Sequence, residues 1–195
     1  PHSGIYASFT TEYAGVGGDA SFLKVSGRGT AYYTLMDEAD IVGLVTVGGG
    51  HVSELDDGGL RTFDLFKNNE RIIRGFEYNG IGPADRLANG DYDHLGGTTY
   101  FHGTVEAQFP VPVVPESFGL RGAVFADAAS LYGYDLNNKA GLNLVSTDLE
   151  WRASVGVGLI WASPFGPLRV DYAVPVVKED SDQEQNFNFG ISTKF

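Results

Sequence analysis

The stretch Trp151-Arg152-Ala153-Ser154-Val155-Gly156-Val157-Gly158-Leu159-Ile160-Trp161 decides the fold. Its odd positions read Trp, Ala, Val, Val, Leu, Trp, while the even ones carry Arg152, Ser154, Gly156, Gly158 and Ile160. Successive side chains of a strand point to opposite faces, so period two means a strand with one apolar face and one small or polar face. The same alternation runs through residues 185–195. There Phe187, Phe189, Ile191, Thr193 and Phe195 share one parity, and Asn186, Asn188, Gly190, Ser192 and Lys194 the other. In 167–175, Leu168, Val170, Tyr172 and Val174 oppose Arg169, Asp171 and Ala173. In 22–35, Lys24, Ser26, Arg28 and Thr30 lie opposite Leu23, Val25, Ala31, Tyr33 and Leu35.

Working outward, glycine and proline punctuation divides the chain into about eight such segments, each near the ~9–11 residues a tilted membrane-spanning strand needs. They are residues 5–13, 22–35, 41–49, 98–109, 118–130, 151–161, 167–175 and 185–195. A water-soluble sandwich would alternate in the same way. Two features favour a membrane. Aromatics (Tyr13, Tyr33, Phe109, Trp151, Trp161, Phe195) sit at segment ends, as interfacial girdles do. Tight connections at 36–40, 110–116 and 162–166 also alternate with longer ones at 14–21, 51–97, 131–150 and 176–184, the pattern of short turns on one side and long loops on the other. The expectation is an all-β fold, an antiparallel transmembrane β-barrel. Eight strands could close a small barrel. However, the chain begins abruptly at Pro1, and a connection as long as 51–97 would not fit a lumen already filled by side chains. Residues 1–195 therefore read as the C-terminal eight strands of a sixteen-stranded barrel, with 51–97 an extracellular loop folded into the lumen.

Composition narrows the function. A net charge of −12 argues against nucleic acid, which calls for basic patches. No stretch approaches the ~18–20 consecutive apolar residues of a transmembrane helix. A mean hydropathy of −0.09 is what alternating strands average to. With no cysteine there is no disulfide framework or thiolate site. The four histidines, His2, His51, His94 and His102, are scattered without metal-ligand spacing. Asp37-Glu38-Ala39-Asp40 matches a helicase tetrapeptide only by chance, since no phosphate-cradling loop accompanies it. Lys178-Glu179-Asp180-Ser181-Asp182 reads as a solvated loop rather than a calcium site. No G-x-S-x-G nucleophile elbow occurs. The reading is a protein that is not an enzyme and needs no cofactor or metal.

Three segments carry a family resemblance. Ile72-Ile73-Arg74-Gly75-Phe76, followed by Glu77-Tyr78-Asn79-Gly80-Ile81-Gly82-Pro83, is similar to the (V/I)RGF motif of a sixth extracellular loop. Phe125-Ala126-Asp127-Ala128-Ala129 is similar to an F-x-D-x-G strand motif, with Ala129 where the pattern has glycine. The run from Arg152 to Phe195, with its turn Ser163-Pro164-Phe165-Gly166-Pro167-Leu168-Arg169, resembles the last three strands. The opening Pro1-His2-Ser3-Gly4 resembles the turn before strand nine. Together these resemble the BamA family and its wider superfamily of outer-membrane assembly and secretion barrels, over essentially the whole chain.

Parity and resemblance lead to the same pairing. If Phe101, Val105 and Phe109 face lipid, Glu106 faces the lumen; if Leu120, Val124 and Ala126 face lipid, so does Asp127. The resemblance implies that Arg74 bridges Asp127 with Glu106 nearby, a role suited to a planar guanidinium fork. Parity alone leaves open an exposed Arg74 and two carboxylates that merely wet the lumen. Gly75 suits a turn with positive φ or a close backbone approach, or is one loop glycine among many. Phe76 anchors the loop tip on the barrel wall or is simply a buried aromatic near the surface.

The resemblance further implies assembly and insertion of other outer-membrane proteins in a Gram-negative bacterium, by strand templating at a lateral seam beside the last strand, without covalent chemistry. Its residues there would be Phe187, Phe189, Gly190 and Phe195. Gly190 would weaken the strand and permit a kink, and Phe195 is either a girdle aromatic or part of a C-terminal recognition signal. The implied partners are unfolded outer-membrane proteins as substrates, outer-membrane lipid, accessory lipoproteins, and periplasmic POTRA domains of the same longer chain. The rivals are a two-partner secretion or TamA-type translocation barrel, and a passive porin.

Overall fold

A computed structural model describes residues 2–15, 21–55, 60–69, 71–134 and 141–191. The strands, in chain order, are β1 (Gly4–Ala14), β2 (Phe22–Met36), β3 (Ile41–Glu54), β4 (Gly75–Phe76), β5 (Ala84–Arg86), β6 (Tyr92–His94), β7 (Thr99–Pro110), β8 (Leu120–Tyr132), β9 (Leu144–Val145), β10 (Arg152–Ser163), β11 (Gly166–Val177), β12 (Glu184–Gln185) and β13 (Phe187–Ile191). Two 3₁₀ turns, Thr62–Asp64 and Glu116–Phe118, complete them. Eight strands form one sheet in the order β1-β2-β3-β7-β8-β10-β11-β13, each antiparallel to its neighbour.

The two faces of this sheet are inverted relative to a soluble protein. On the outer face, apolar side chains lie open: Val47 is 60% exposed, Val105 61% and Val157 55%. On the inner face polar groups are buried, among them Thr46, Glu106, Asp127, Ser154 and Asp171. A contiguous apolar exterior of this size calls for lipid. The compact apolar packing lies elsewhere, between the inner face and the segment connecting β3 to β7. Phe22 and Val52 of the wall meet Leu60 and Leu65 of that segment in one cluster. Ala129 and Leu131 of the wall meet Ile72, Ile73, Phe76 and Ile81 in a second.

Local structure differs from the sequence expectation in three places. First, β3 runs on to Glu54 rather than ending at residue 49, so the long connection starts four to five residues later. Gly48, Gly49 and Gly50 read as a strand end because glycine usually punctuates. Here they pair within the ladder and make room: a Cβ at Gly48 would lie 2.3 Å from the His102 ring, and one at Gly50 2.6 Å from Tyr100. Second, the connection is ordered by strand pairing of its own. The small sheet β6-β5-β9 ties it to the 131–150 connection. Third, the wall strand expected over 185–195 does not begin at residue 185. Glu184–Gln185 pairs with Gly75–Phe76, and wall pairing begins only at Phe187 opposite Tyr172. Glu184, Gln185 and Asn186 are all polar, so the apolar alternation begins only at Phe187, where the wall pairing begins. Phe195 lies outside the described residues.

The exposed face sets a first test. Val157 sits midway along β10, so Val157→Arg should lower the stability of the full-length protein in lipid vesicles by ~2–4 kcal/mol, as charge at hydrocarbon depth does. Denaturant titration would read this, with Val157→Leu nearly neutral; equal effects of the two would show that this face does not meet lipid.

Candidate functional site: a guanidinium among three carboxylates

β7, β8 and β11 each present acids to the inner face, and their register brings those acids together. Glu106 stands opposite Phe125, Asp127 lies between Thr104 and Ser154, and Asp171 faces Gly158. Arg74 reaches them from the β3–β7 connection. Its Nε and Nη2 donate to Asp127 Oδ2 and Oδ1 at 2.8 and 2.7 Å, a bidentate fork. Its backbone N–H donates to the same carboxylate at 3.1 Å. Nη1 donates to Glu106 Oε2 at 2.9 Å and lies 3.8 Å from Asp171 Oδ2. The guanidinium carbon stands 3.3 Å from the centre of the Phe125 ring, so a planar cation stacks on an aromatic face. Both partners of the fork are buried, Arg74 at 7% and Asp127 at 3% exposure.

Arg169 completes the cluster. Its Nη1 and Nη2 donate to Glu106 Oε1 and Oε2, each at 2.8 Å, and its Nε donates to Asp171 Oδ2 at 2.8 Å. Gln108 Nε2 donates to Glu106 Oε1 at 2.8 Å. Two guanidinium groups thus share three carboxylates. Burial alone would draw Arg74 toward losing its proton, but hydrogen bonding to Asp127 and the nearby negative charges outweigh that and raise its pKa. The cation is therefore permanent.

The wall strand β10 makes the space. A Cβ at Gly158 would sit 2.2 Å from Asp171 Oδ1, and one at Gly156 2.5 Å from the Phe125 ring. Gly75 follows Arg74 with φ of +92°, a region L side chains avoid. A Cβ there would stand 3.3 Å from the Ser154 Cβ and 3.4 Å from the Ala173 Cβ, so the loop backbone lies directly on the wall. Phe76 is buried among Ile72, Ile73, Ile81, Ala129 and Leu131, on the side of the loop that meets the wall. Ile73 is completely buried in the same cluster.

The structure brings together Ile73, Arg74, Gly75, Phe76, Glu106 and Asp127. Phe187 and Phe189 lie apart from them on the outer face, 66% and 70% exposed, and Gly190 is on the same end strand with open space around it. Sequence reasoning gave no role to Phe125, Arg169, Asp171 or Gln108. The signal existed for the charged pair: Arg169 and Asp171 share the polar parity of one strand and so point at the same interior. Residues 178–182 also differ from a solvated loop. Asp182 is fully enclosed against Arg152, because the two charges neutralise one another there.

An antiparallel sheet with an apolar exterior, and with charges and a docked loop on its interior, is the wall of an outer-membrane-type β-barrel. Residues 1–195 match the Omp85 superfamily domain over their whole length, and the chain belongs to that superfamily. It is 33% identical over its full length to the outer membrane protein assembly factor BamA of Neorickettsia risticii (strain Illinois), covering 25% of that protein. It is 29% identical over its full length to a SAM50-like protein of Schizosaccharomyces pombe, covering 41% of it. A crystal structure of BamA from Haemophilus ducreyi lacking POTRA domains 1–3 superposes with a TM-score of 0.82 at 26% identity, over 97% of this chain and 38% of that one. The chain spans about a quarter of the length of the curated BamA relatives it matches.

Removing one partner of a buried ion pair strands the other. Arg74→Ala should therefore destabilise the docked loop by ~3–5 kcal/mol, read as increased proteolysis or amide exchange of residues 72–83. Arg74→Lys should recover only part of this, because an ammonium can neither fork onto Asp127 nor stack on Phe125. Full recovery by lysine would show that charge alone matters. A second test uses pH. His94, in the same connection, has a lowered pKa chiefly through burial. The unfolded segment then takes up a proton that the folded one resists, so loop stability should fall as pH drops below about 6.5. His94→Asn should flatten that slope.

Proposed function

We propose that this chain is the C-terminal part of the barrel of an assembly factor that inserts other outer-membrane proteins into the outer membrane of a Gram-negative bacterium. The full-coverage likeness to proteins named assembly factors supports the reading. The observation that carries it is the buried Arg74 fork inside the barrel wall. That fork fixes the loop against the wall, and a machine that opens at a seam must keep the rest of its wall and its loop in fixed register.

The mechanism is strand templating. β13 pairs with β11 on one side, and a seam that opens at its other edge would offer unpaired N–H and C=O groups. An incoming strand from an unfolded outer-membrane protein can add there by main-chain hydrogen bonds, and no covalent step is involved. Phe187 and Phe189 hold the strand in lipid, with Phe187 packed edge-on against Tyr172 at 4.9 Å between ring centres. Gly190 loosens it. A Cβ at that position would meet nothing within 4 Å, so Gly190→Val is sterically free and probes backbone stiffness alone. Arg74, held by Asp127 and Glu106, keeps the loop motif Ile73-Arg74-Gly75-Phe76 on the wall. POTRA domains, accessory lipoproteins and the remaining strands of a sixteen-stranded barrel belong to the same reading.

Depletion of the full-length protein should remove unrelated barrels from the outer membrane, measured by quantitative proteomics of that membrane. Arg74→Ala and Asp127→Ala should each reduce barrel assembly, and Gly190→Val should slow it. Intact levels of unrelated barrels after depletion would contradict the proposal.

A further inference from the structure

Arg152 is completely buried although it stands at the first residue of β10, where the sheet meets its long loops. Its partner is Asp182. Arg152 Nη2 donates to Asp182 Oδ1 at 2.9 Å, and Nε donates to Oδ2 at 3.0 Å, with both side chains at 0% exposure. Arg152 Nη1 also donates to the Glu150 carbonyl at 3.0 Å, and Asp182 Oδ2 accepts the Glu179 N–H at 2.8 Å. This second fork is separate from the Arg74 cluster. Enclosing two charges so fully costs desolvation, and only rigid, saturated geometry repays it.

The residues that follow Asp182 show what such geometry holds. The Gln183 N–H donates to the Gly80 carbonyl at 2.8 Å, and the Gln183 carbonyl accepts the Glu77 N–H at 2.9 Å. Glu184 and Gln185 then pair with Phe76 and Gly75. The Asn186 carbonyl accepts the Ala173 N–H at 2.8 Å, and its side-chain amide donates to the Ala173 carbonyl at 2.9 Å. Only at Phe187 does the chain enter the wall beside Tyr172. Between the ion pair and the wall, the end strand is thus hydrogen-bonded to the very residues that follow Arg74. A two-residue ladder is too short to persist alone. It needs an anchor at its open end.

We infer that Arg152 and Asp182 are positioning residues that strap the start of the end strand onto the Gly75–Phe76 segment, so that the Arg74 lock and the seam strand move as one unit. The bearing of this strap on insertion rests on the function proposed above. A lock at Arg74 would then reach the seam directly through backbone hydrogen bonds, without passing through the wall strands. The bland alternative is that the pair only pins residues 178–182 to β10, while 183–186 find their partners unaided.

The test uses the full-length protein in membranes. Glu77 and Gln183 are both exposed and bonded through their backbones, so cysteines at the two positions should form a disulfide readily. In the Asp182→Asn and Arg152→Met backgrounds, cross-link yield should fall about five-fold, the shift expected for ~1 kcal/mol of lost docking. Amide exchange should rise in residues 75–80 and 183–187 together, while 104–108 stays protected. Where Asp182→Asn fails to fold, Asp182→Glu, which displaces the charge by one methylene, should give an intermediate yield. Native yield in any of these variants, or faster exchange confined to 178–182, overturns the inference. Neither readout uses assembly activity, so a failed strap and a failed insertion reading are told apart by the depletion experiment.

Discussion

One buried cation organises this molecule. Arg74 is enclosed within a membrane-spanning wall, and an unpaired charge there would be prohibitive. Its enclosure is possible only because three strands deliver carboxylates to one point and Arg169 balances the surplus negative charge. Each neighbouring feature answers that demand. Gly158 and Gly156 vacate volume for Asp171 and Phe125, and Gly75 lets the loop backbone lie against the wall at positive φ. The Phe76 cluster supplies the apolar contact that electrostatics alone does not.

The membrane explains why the chain can place its charges inside and its valines outside. In lipid the outer apolar face is solvated by hydrocarbon, so apolar burial no longer requires a central core. What remains of such packing moves to the interface between the wall and the β3–β7 connection. The loop is thereby the internal core of this part of the barrel. Two ion-pair clusters, the one at Arg74 and the one at Arg152, fix that core at its two approaches to the wall.

Much of the fold was legible because period two survives in every wall strand. It located all eight to within a few residues and gave the correct inward parity for Glu106 and Asp127. The motif around Arg74 named the cation. Legibility failed where pairing partners or strand limits are not set by the local pattern. Glu184 and Gln185 are polar on both parities, a pattern that does not say they pair with the loop. His51 to Glu54 continue β3 past three glycines that look like a break. The Arg152–Asp182 pair joins residues 30 apart in sequence, and no local periodicity encodes which loop acid an arginine will meet. Arg169 and Asp171 were visible as inward-pointing residues, but the partner of Arg169 on β7, Glu106, depends on sheet order and register, which a single strand does not carry.

The central claim is that Arg74 and Asp127 act as one unit to hold the loop on the wall. A double-mutant cycle with Arg74→Met and Asp127→Leu measures this directly, reading loop-docking free energy from amide exchange of residues 72–83 in the full-length protein. Arg74→Met leaves the Asp127 carboxylate without its cation, Asp127→Leu leaves Arg74 without its fork and with only its hydrogen bond to Glu106, and the double variant removes both ends of the fork together. The cycle should therefore show a coupling energy of ~2–3 kcal/mol, with the double variant more stable than the sum of the singles predicts. Additive losses would contradict the claim and leave Arg74 as a cation that happens to lie beside an acid.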